Sequence, residues 1–353
     1  MRPINSQIET SAELPGALVA AVLAGAWRCP PPPPEITAQE LKAIAPLLLE
    51  SGAAALGWWR LRHSDLRASP AAVQLQQAYR LHTLQAGLHE RDIQEVLPLL
   101  YSAGIEPLLV KGWAIARLYP EPGLRPYGDI DLCVRPEQYR AAQGVLKGPE
   151  GRKYYVDLHR GSEKLDGCGF DELFARSRAV RLGSVEVRVL APEDELRILC
   201  LHLLRHGAWR PLWLCDIAVA LESRPADFDW DRCLGWNQRR ADWVACTLGL
   251  AHQLLGAKVD GTPAAERAER LPSWFVPAAL KQWELRRRTR GVVEVATAIR
   301  DPIKLLKDFH HHWPNAIEGT VGTGGPFNEL PRLPFQLGDF LWRAAKALAQ
   351  IPN

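Results

Sequence analysis

The 353-residue sequence contains no pair of cysteines spaced as Cys-x-x-Cys, and its seven cysteines are scattered along the chain. That spacing is typical of zinc sites and of redox-active disulfides, so neither is expected. Several of the cysteines lie inside apolar runs, as reduced core thiols do. We therefore predict a cytoplasmic protein without disulfides.

A long apolar run is also absent, because no stretch reaches about 18 uninterrupted apolar residues, and a membrane span is not expected. Leu18–Ala26 is too short and too rich in Ala and Gly to serve as an export signal. Charge of one sign is lacking too. Lys and Arg number 43 against 40 Asp and Glu, a net charge of +3, so the composition does not indicate a nucleic-acid or membrane partner.

The remaining composition is that of a globular protein, with 47% apolar and 24% charged residues. The first third is rich in helix-forming residues, interrupted by a proline-rich linker at 29–35. Thr37-Ala-Gln-Glu40 has the pattern of a helix capping box. A long helix is predicted over Ala71–Ala103, with Gly104 as its C-terminal cap.

After this helical part the pattern changes to short apolar strands. Ile105–Val110 and Tyr154–His159 are predicted strands, and within Arg178–Leu190 the period-two alternation of Val185–Val189 predicts another. From Glu193 onward the sequence is again helical. We predict an α+β fold with a small mixed sheet. The expected organisation is an N-terminal helical region over 1–95, a catalytic core over 96–192 and a C-terminal helical domain over 193–353.

Three aspartates are placed to meet on this sheet. Asp129 and Asp131 are two residues apart at the start of an apolar strand, so their side chains share a face while Ile130 and Leu132 enter the core. Asp157 has the equivalent position on the next strand, with His159 on the same face. If the two strands are neighbours, three carboxylates converge at one edge of the sheet.

Converging carboxylates repel one another unless a cation neutralises them. Two Mg²⁺ ions, with Mn²⁺ as an alternative, would do so and would also hold a nucleoside triphosphate. Gly112, after a buried strand and before a helix, would let the backbone approach the phosphates. An isolated Asp-x-Asp is often a solvated strand edge; the combination of strand, glycine turn, helix, Asp-x-Asp and later Asp favours a nucleotidyl-transfer site.

The sequence resembles a family of bacterial nucleotidyltransferases within the DNA-polymerase-β-like superfamily, over roughly residues 90–260. The resemblance is carried by segments that lie around the three aspartates and beyond them: Leu108–Gly112, Leu118–Pro120, Arg125, Gly128–Leu132, Val156–His159 and Trp213–Ala218. It implies metal-dependent transfer of a nucleoside monophosphate from an NTP such as ATP to a hydroxyl-type acceptor, with release of pyrophosphate.

The resemblance also implies roles for individual residues. Asp129 and Asp131 would hold both metals, and Asp157 would complete the acceptor-side metal and accept the proton of the nucleophile. Lys111, Gly112, Arg125, Gly128 and His159 would bind the nucleotide. Most of the superfamily has Gly-Ser or Gly-Gly where this sequence has Gly112-Trp113, so Lys111 or Arg125 would replace the missing phosphate-binding hydroxyl.

Several residues allow two interpretations. His159 could contact phosphate, orient a carboxylate or be structural, and Arg125 could bind phosphate or lie on the surface. Asp216 lies in an apolar run, where an unpaired carboxylate is costly, and Arg205 or Arg210 is its predicted partner.

Other candidates have plainer interpretations. His202 and His206 have a metal-ligand spacing, but without neighbouring carboxylates they are predicted as ordinary helix residues that could line the cleft. The tryptophans at 209, 213, 236 and 243 could stack on a base, although core packing is their simpler role. The basic residues 286–290 and His310–His312 are interpreted as solvent-facing.

Three functions are consistent with these sequence features. The first is a nucleotidyltransferase acting on a small molecule or peptide, with NTP and that acceptor as its partners. The second is a protein-modifying, AMPylating enzyme. The third is a degenerate nucleotide-binding or scaffold protein without turnover, against which the retention of all three aspartates argues. The sequence does not name the acceptor or the preferred NTP.

Overall fold

The computed structural model describes residues 14–161, 168–285 and 313–349, with side chains described as far as residue 346. The predictions for the basic residues 286–290 and for His310–His312 lie outside the described residues. Within the described part, no helix combines the length and apolarity needed to cross a membrane.

Four helices form the N-terminal part: α1 (Pro15–Leu23), α2 (Ala38–Ser51), α3 (Ala54–Leu61) and α4 (Pro70–Ser102). The capping box predicted for α2 is confirmed, because the Thr37 side chain accepts a hydrogen bond from the Glu40 backbone N–H and the Glu40 carboxylate accepts one from that of Thr37. The long predicted helix is α4, and Gly104 follows it with a φ of +71°. Local sequence signals therefore define these helix ends.

The middle of the chain forms a mixed five-stranded sheet in the order β3-β2-β1-β5-β4. Its strands are β1 (Leu108–Leu109), β2 (Ile130–Val134), β3 (Val156–Arg160), β4 (Arg178–Leu182) and β5 (Val185–Val189). β1 pairs with β2 antiparallel and with β5 parallel, β2 pairs with β3 parallel, and β4 pairs with β5 antiparallel. The predicted α+β class with a small mixed sheet is confirmed.

One strand prediction was wrong in extent. β1 spans two residues rather than Ile105–Val110, and Pro107, which has no N–H to donate to a ladder, lies directly before it. The strand predicted at Val185–Val189 is confirmed as β5, and it forms a hairpin with β4, which was not predicted. Gly183, with a φ of +56°, permits the tight turn between them.

Helices also lie within and after the sheet region. α5 (Gly112–Ala116) follows β1, α6 (Tyr139–Lys147) follows β2 and α7 (Phe170–Arg176) precedes β4. The C-terminal helices are α8 (Pro192–Arg205), α9 (Pro211–Glu222), α10 (Trp230–Leu234), α11 (Gln238–Leu255), α12 (Ala265–Glu269), α13 (Phe275–Glu284), α14 (Ala316–Gly322) and α15 (Leu333–Ala349).

The largest apolar core joins helices from both ends of the chain. Leu23 of α1, Leu48 of α2, Leu203 of α8 and Phe275 of α13 are all fully buried in it. A second core packs α4 and α6 against the sheet, and includes Ile130 and Leu132 as expected. The division at residues 95 and 192 stays a prediction. The sheet and the helices after it are positioned so that a cleft opens between them.

Candidate active site

The three aspartates lie at the junction of β2 and β3. These strands are parallel neighbours, and Asp131 is in direct register with Asp157. Asp129 directly precedes β2 and is half-buried, whereas Asp131 is 7% exposed and the Asp157 side chain is 52% exposed. The carboxylates thus run from a buried position to the open edge of the sheet.

Asp131 is the most strongly held of the three. Its Oδ1 accepts hydrogen bonds from Nζ of Lys111 at 3.2 Å and from Nε2 of His159 at 2.9 Å. The same His159 nitrogen lies 3.4 Å from Oδ2 of Asp157. His159 therefore lies between two carboxylates on the shared face of β2 and β3 and orients them, which is one of the interpretations its sequence position left open.

The pKa values of the first two aspartates move in opposite directions. Burial, together with the charges of Asp131 and Asp157, raises the pKa of Asp129 above its ordinary value. Burial also acts to raise the pKa of Asp131, but the His159 hydrogen bond and the charge of Lys111 outweigh it and hold that pKa low. The site therefore stabilises charge on Asp131 and resists it on Asp129.

A strained turn delivers Lys111 to this cluster. Lys111 has a φ of +54° and Gly112 a φ of +38°, and a positive φ is unfavourable for a side chain such as lysine. A Cβ at Gly112 would meet only ordinary contacts with Asp129 and Tyr127, so the backbone conformation rather than space requires glycine here. The next residue, Trp113, is a core residue whose Nε1 donates to Oε1 of Glu90 at 3.2 Å.

Asp216 pairs with an arginine, as predicted, but the two arginines named as candidates were wrong. Asp216 is completely buried and pairs with Arg125, whose Nη2 lies 2.9 Å from Oδ2, and not with Arg205 or Arg210. The hydroxyl of Tyr119 donates to the same carboxylate at 2.8 Å. Arg125 is itself 7% exposed, so the interpretation as a surface arginine was also wrong. This pair connects the loop before Asp129 to helix α9.

A cavity of about 350 Å³ covers the carboxylates. It is bordered by residues of the sheet region and by residues of the following helices: Lys111, Gly112, Arg125–Asp129, Asp131, Asp157, Leu199, His202, Arg210 and Trp213. Seven of the eight predicted site residues therefore border one cavity, and the eighth, His159, contacts two of its carboxylates.

The far wall of the cavity comes from α8 and the start of α9. The rings of His202 and Trp213 meet edge-on with their centroids 4.5 Å apart, and the guanidinium of Arg210 lies 5.8 Å from the Trp213 ring. Burial, together with nearby positive charge on His206 and Lys111, lowers the pKa of His202 to about 3, so its imidazole is neutral at pH 7.

Sequence reasoning found this wall only in part. It allowed His202 to line the cleft and Trp213 to stack on a base, but it missed Leu199 and assigned Arg210 to another role. Arg210 Nε donates to the Ser51 carbonyl at 2.7 Å, which brings α2 to the cavity as well. The sequence feature that could have predicted this wall is an Arg and a Trp on either side of Pro211, at the start of an apolar helix. Without the fold, that feature is only weak support for a binding site.

Comparison with protein families matches residues 38–256 to the family described as "uncharacterised nucleotidyltransferase". The match covers more than half of the chain and includes the whole site described above. The chain belongs to this nucleotidyltransferase family. It is therefore a nucleotidyltransferase enzyme, with the carboxylate-bearing sheet inside the matched segment. Comparison with curated proteins and with solved structures found no significant match.

The donor atoms of the site fit a divalent cation. One ligand atom each from Asp131, Asp157 and His159 lie within 4.8 Å of one another, and Asp129 is the next acidic residue on the same strand face. Carboxylate oxygens are the ligands that Mg²⁺ prefers, whereas imidazole suits softer ions. The arrangement can thus hold a hard cation on the carboxylates, with His159 orienting them.

Proposed function

We propose that this nucleotidyltransferase moves a nucleoside monophosphate from an NTP to a hydroxyl-type acceptor on a small molecule or peptide, with release of pyrophosphate, in a Mg²⁺-dependent reaction. The observation that carries the proposal is the register of Asp131 against Asp157 with Asp129 beside them under one cavity. Three carboxylates on one face of the sheet repel one another, so a cation is needed for all three to be ionised at the same time. The proposed setting is the bacterial cytoplasm.

The proposed roles follow from where each carboxylate lies. Asp129 and Asp131 would hold two Mg²⁺ ions, and Asp157 would complete the acceptor-side site. When bound, the ions neutralise the triphosphate and polarise the phosphoryl group under attack. Asp157, the most exposed of the three, is available to take the proton of the acceptor hydroxyl.

The nucleotide would occupy the remainder of the cavity. Lys111, Gly112, Arg125 and Gly128 border it, and His159 contacts the carboxylates of Asp131 and Asp157. Arg125 uses Nε and Nη2 on Asp216, so we assign it a positioning role that holds the loop of Gly128 against the phosphates. Lys111 is the cation whose ammonium reaches the carboxylates.

The experiment is nucleotide binding by calorimetry with ATP, GTP, CTP and UTP, each with and without Mg²⁺. We expect Mg²⁺-dependent binding of at least one NTP by the wild type, and its loss in the double variant Asp129→Asn/Asp131→Asn. Asp260→Asn, at an exposed position outside the cavity, is the matched control and should bind as the wild type does. Equal binding by the double variant, or no binding by the wild type, would overturn the proposal in favour of a degenerate protein.

A further inference from the structure

Among the residues that the structure describes, β3 is the terminal strand of the sheet on the side of the carboxylates, and its outer edge is free of a further strand. The Ile130 backbone N–H donates to the Tyr155 carbonyl at 3.0 Å, and the Gly161 N–H donates to the Val134 carbonyl at 2.8 Å. Because hydrogen-bonding direction alternates along a strand, the odd-numbered residues of β3 face β2. The backbone groups of its even-numbered residues, from Val156 to Arg160, therefore point away from the sheet.

A groove of about 460 Å³ runs along this free edge. It lies between β3 and helix α6 and is lined by nine residues: Tyr139, Gln143, Leu146, Lys147, Arg152, Tyr154, Val156, Asp157 and Leu158. Asp157 borders both this groove and the cavity over the carboxylates. The groove is therefore continuous with the active site at the carboxylate assigned to the acceptor.

The groove differs from the cavity in charge. Lys147 and Arg152 line it, and Asp157 is the carboxylate among its lining residues. On the opposite face of β3, Tyr155 is 75% exposed and shares its face with the half-exposed Asp157. The edge thus presents a cationic side toward α6 and an aromatic and acidic side toward the active site.

We propose that the acceptor is an extended peptide that adds as a further strand to the free edge of β3, with a Ser or Thr side chain directly opposite Asp157; this rests on the proposed function. Residues directly opposite on paired strands share a face, with Cβ atoms about 5 Å apart. A hydroxyl there reaches the Asp157 carboxylate. The backbone groups of Val156, Leu158 and Arg160 supply the hydrogen bonds that hold the peptide.

The alternation of the added strand also defines the neighbouring residues of the peptide. Residues one position before and after the hydroxyl point to the α6 side, where Lys147 and Arg152 favour carboxylates. Residues two positions away return to the active-site face, where the exposed ring of Tyr155 favours an apolar side chain. The acceptor class is therefore a Ser or Thr flanked by acidic residues in an extended segment.

The transfer at this position forms one bond to phosphorus, breaks another and moves one proton. The hydroxyl oxygen of the peptide forms a bond to the α-phosphorus of the NTP, and the bond from that phosphorus to the oxygen bridging to the β-phosphate breaks. Pyrophosphate leaves with that bonding pair. The hydroxyl proton moves to the Asp157 carboxylate, and the product is a phosphodiester between the peptide side chain and the nucleoside.

The test uses the full-length protein and a fluorescein-labelled hexapeptide, acetyl-Glu-Val-Glu-Ser-Glu-Val-amide, with anisotropy as the readout. The control peptide has the same side chains but carries N-methyl groups on alternate peptide nitrogens. We expect saturable binding of the first peptide and at least about tenfold weaker binding of the second, because a docked strand depends on main-chain hydrogen bonds. Equal binding of both peptides, or no binding up to about 5 mM, would overturn the proposal.

Two pairs of variants locate the site. Arg160→Pro removes an N–H that points away from the sheet, and Arg160→Ala removes only the side chain, so the proline should weaken binding more than the alanine does. Lys147→Glu should weaken binding about tenfold through its charge, whereas Arg140→Glu, also on α6 but outside the groove, should not. Unchanged binding in both Arg160→Pro and Lys147→Glu would overturn the docking site.

Mg²⁺–NTP binding is measured on the same samples. Retained NTP binding in Arg160→Pro confirms that the variant folds, so a loss of peptide affinity there supports strand addition. Failure of the proposed function gives a different result: the wild type shows no Mg²⁺-dependent NTP binding, whether or not it binds the peptide.

Discussion

Nζ of Lys111 lies 3.2 Å from Oδ1 of Asp131, so a fixed ammonium contacts the carboxylate to which we assign both metals. A cation bound at Asp131 must compete with this ammonium. Lys111→Met should therefore bind Mn²⁺ more tightly in the absence of nucleotide and NTP about tenfold more weakly, because a phosphate-facing charge is lost. Calorimetric titration of Mn²⁺ and of NTP measures both.

Lys42→Met, at an exposed position on α2, is the matched control. Weaker Mn²⁺ binding in Lys111→Met would show instead that the lysine supports the metal site.

The buried pair of Arg125 and Asp216 predicts a strong asymmetry between single and double variants. Arg125→Met leaves a buried carboxylate without its counter-charge and should lower the free energy of unfolding by about 3–5 kcal/mol. Arg125→Met/Asp216→Leu removes both charges and should recover much of that loss. Urea denaturation followed by fluorescence measures the free energy of unfolding of the wild type, of the two single variants Arg125→Met and Asp216→Leu, and of the double variant.

The exposed pair of Glu266 and Arg270 supplies the comparison, since its side chains are 75% and 73% exposed. The same set of single and double variants at Glu266 and Arg270 should give a coupling free energy of at most about 1 kcal/mol. Additive losses at Arg125 and Asp216 would contradict the direct coupling.

The carboxyl group of Glu195 predicts a pH dependence of stability. Burial raises its pKa to about 8, and its buried Oε1 has no hydrogen-bond partner among the residues that the structure describes. The folded state keeps the proton after the unfolded state has lost it, so its stabilising contribution is complete below the ordinary carboxyl pKa. That contribution declines as the pH rises and is lost once the pH passes about 8.

Glu195→Gln should remove this dependence and raise the free energy of unfolding at pH 9 relative to the wild type. Urea denaturation at pH 5, 7 and 9 measures it. Parallel stability curves for the two proteins would refute the assignment.

Ionised Asp129 is expected to lower the stability of the metal-free protein and to be required for metal binding. Its pKa is raised by burial and by Asp131 and Asp157, so stability from the protonated form is lost as the pH rises through that pKa. At pH 7 Asp129→Asn should raise the melting temperature of the metal-free protein. The same variant should lose the further rise that Mg²⁺ gives the wild type.

Asp92→Asn, an acidic residue on α4 away from the cavity, is the matched control for thermal unfolding with and without Mg²⁺. A lower melting temperature for metal-free Asp129→Asn would contradict the prediction.

The features that local chemistry determines could be predicted from the sequence. The Thr37 capping box, the end of α4 near Gly104 and the shared face of Asp129 and Asp131 each depend on residues close together in the chain. The neighbouring position of β2 and β3 was stated as a condition, and the pairing meets it. The roles of the predicted site residues stay predictions.

Features that depend on residues distant in the chain could not be predicted. Asp216 was given an arginine close in sequence, whereas its partner, Arg125, is 91 positions away. Trp113 stands where most of the superfamily has Ser or Gly, and its ring fills a core that only the packing of α4 on the sheet creates. Strand β4 and the turn at Gly183 were missed because Arg178–Leu182 lacks the clean alternation of Val185–Val189.

The largest core has a consequence for protein synthesis. Helix α1 packs against α11 and α13, and Arg28 just after it forms an ion pair with Glu222 at 2.6 Å. A ribosome therefore releases α1 long before the helices that cover it have been made. Helices α2 and α3 also contact α1 and are made soon after it. The part of α1 that faces α11 and α13 stays uncovered until Phe275–Glu284 has emerged, a period in which a chaperone that holds apolar segments would protect it from aggregation.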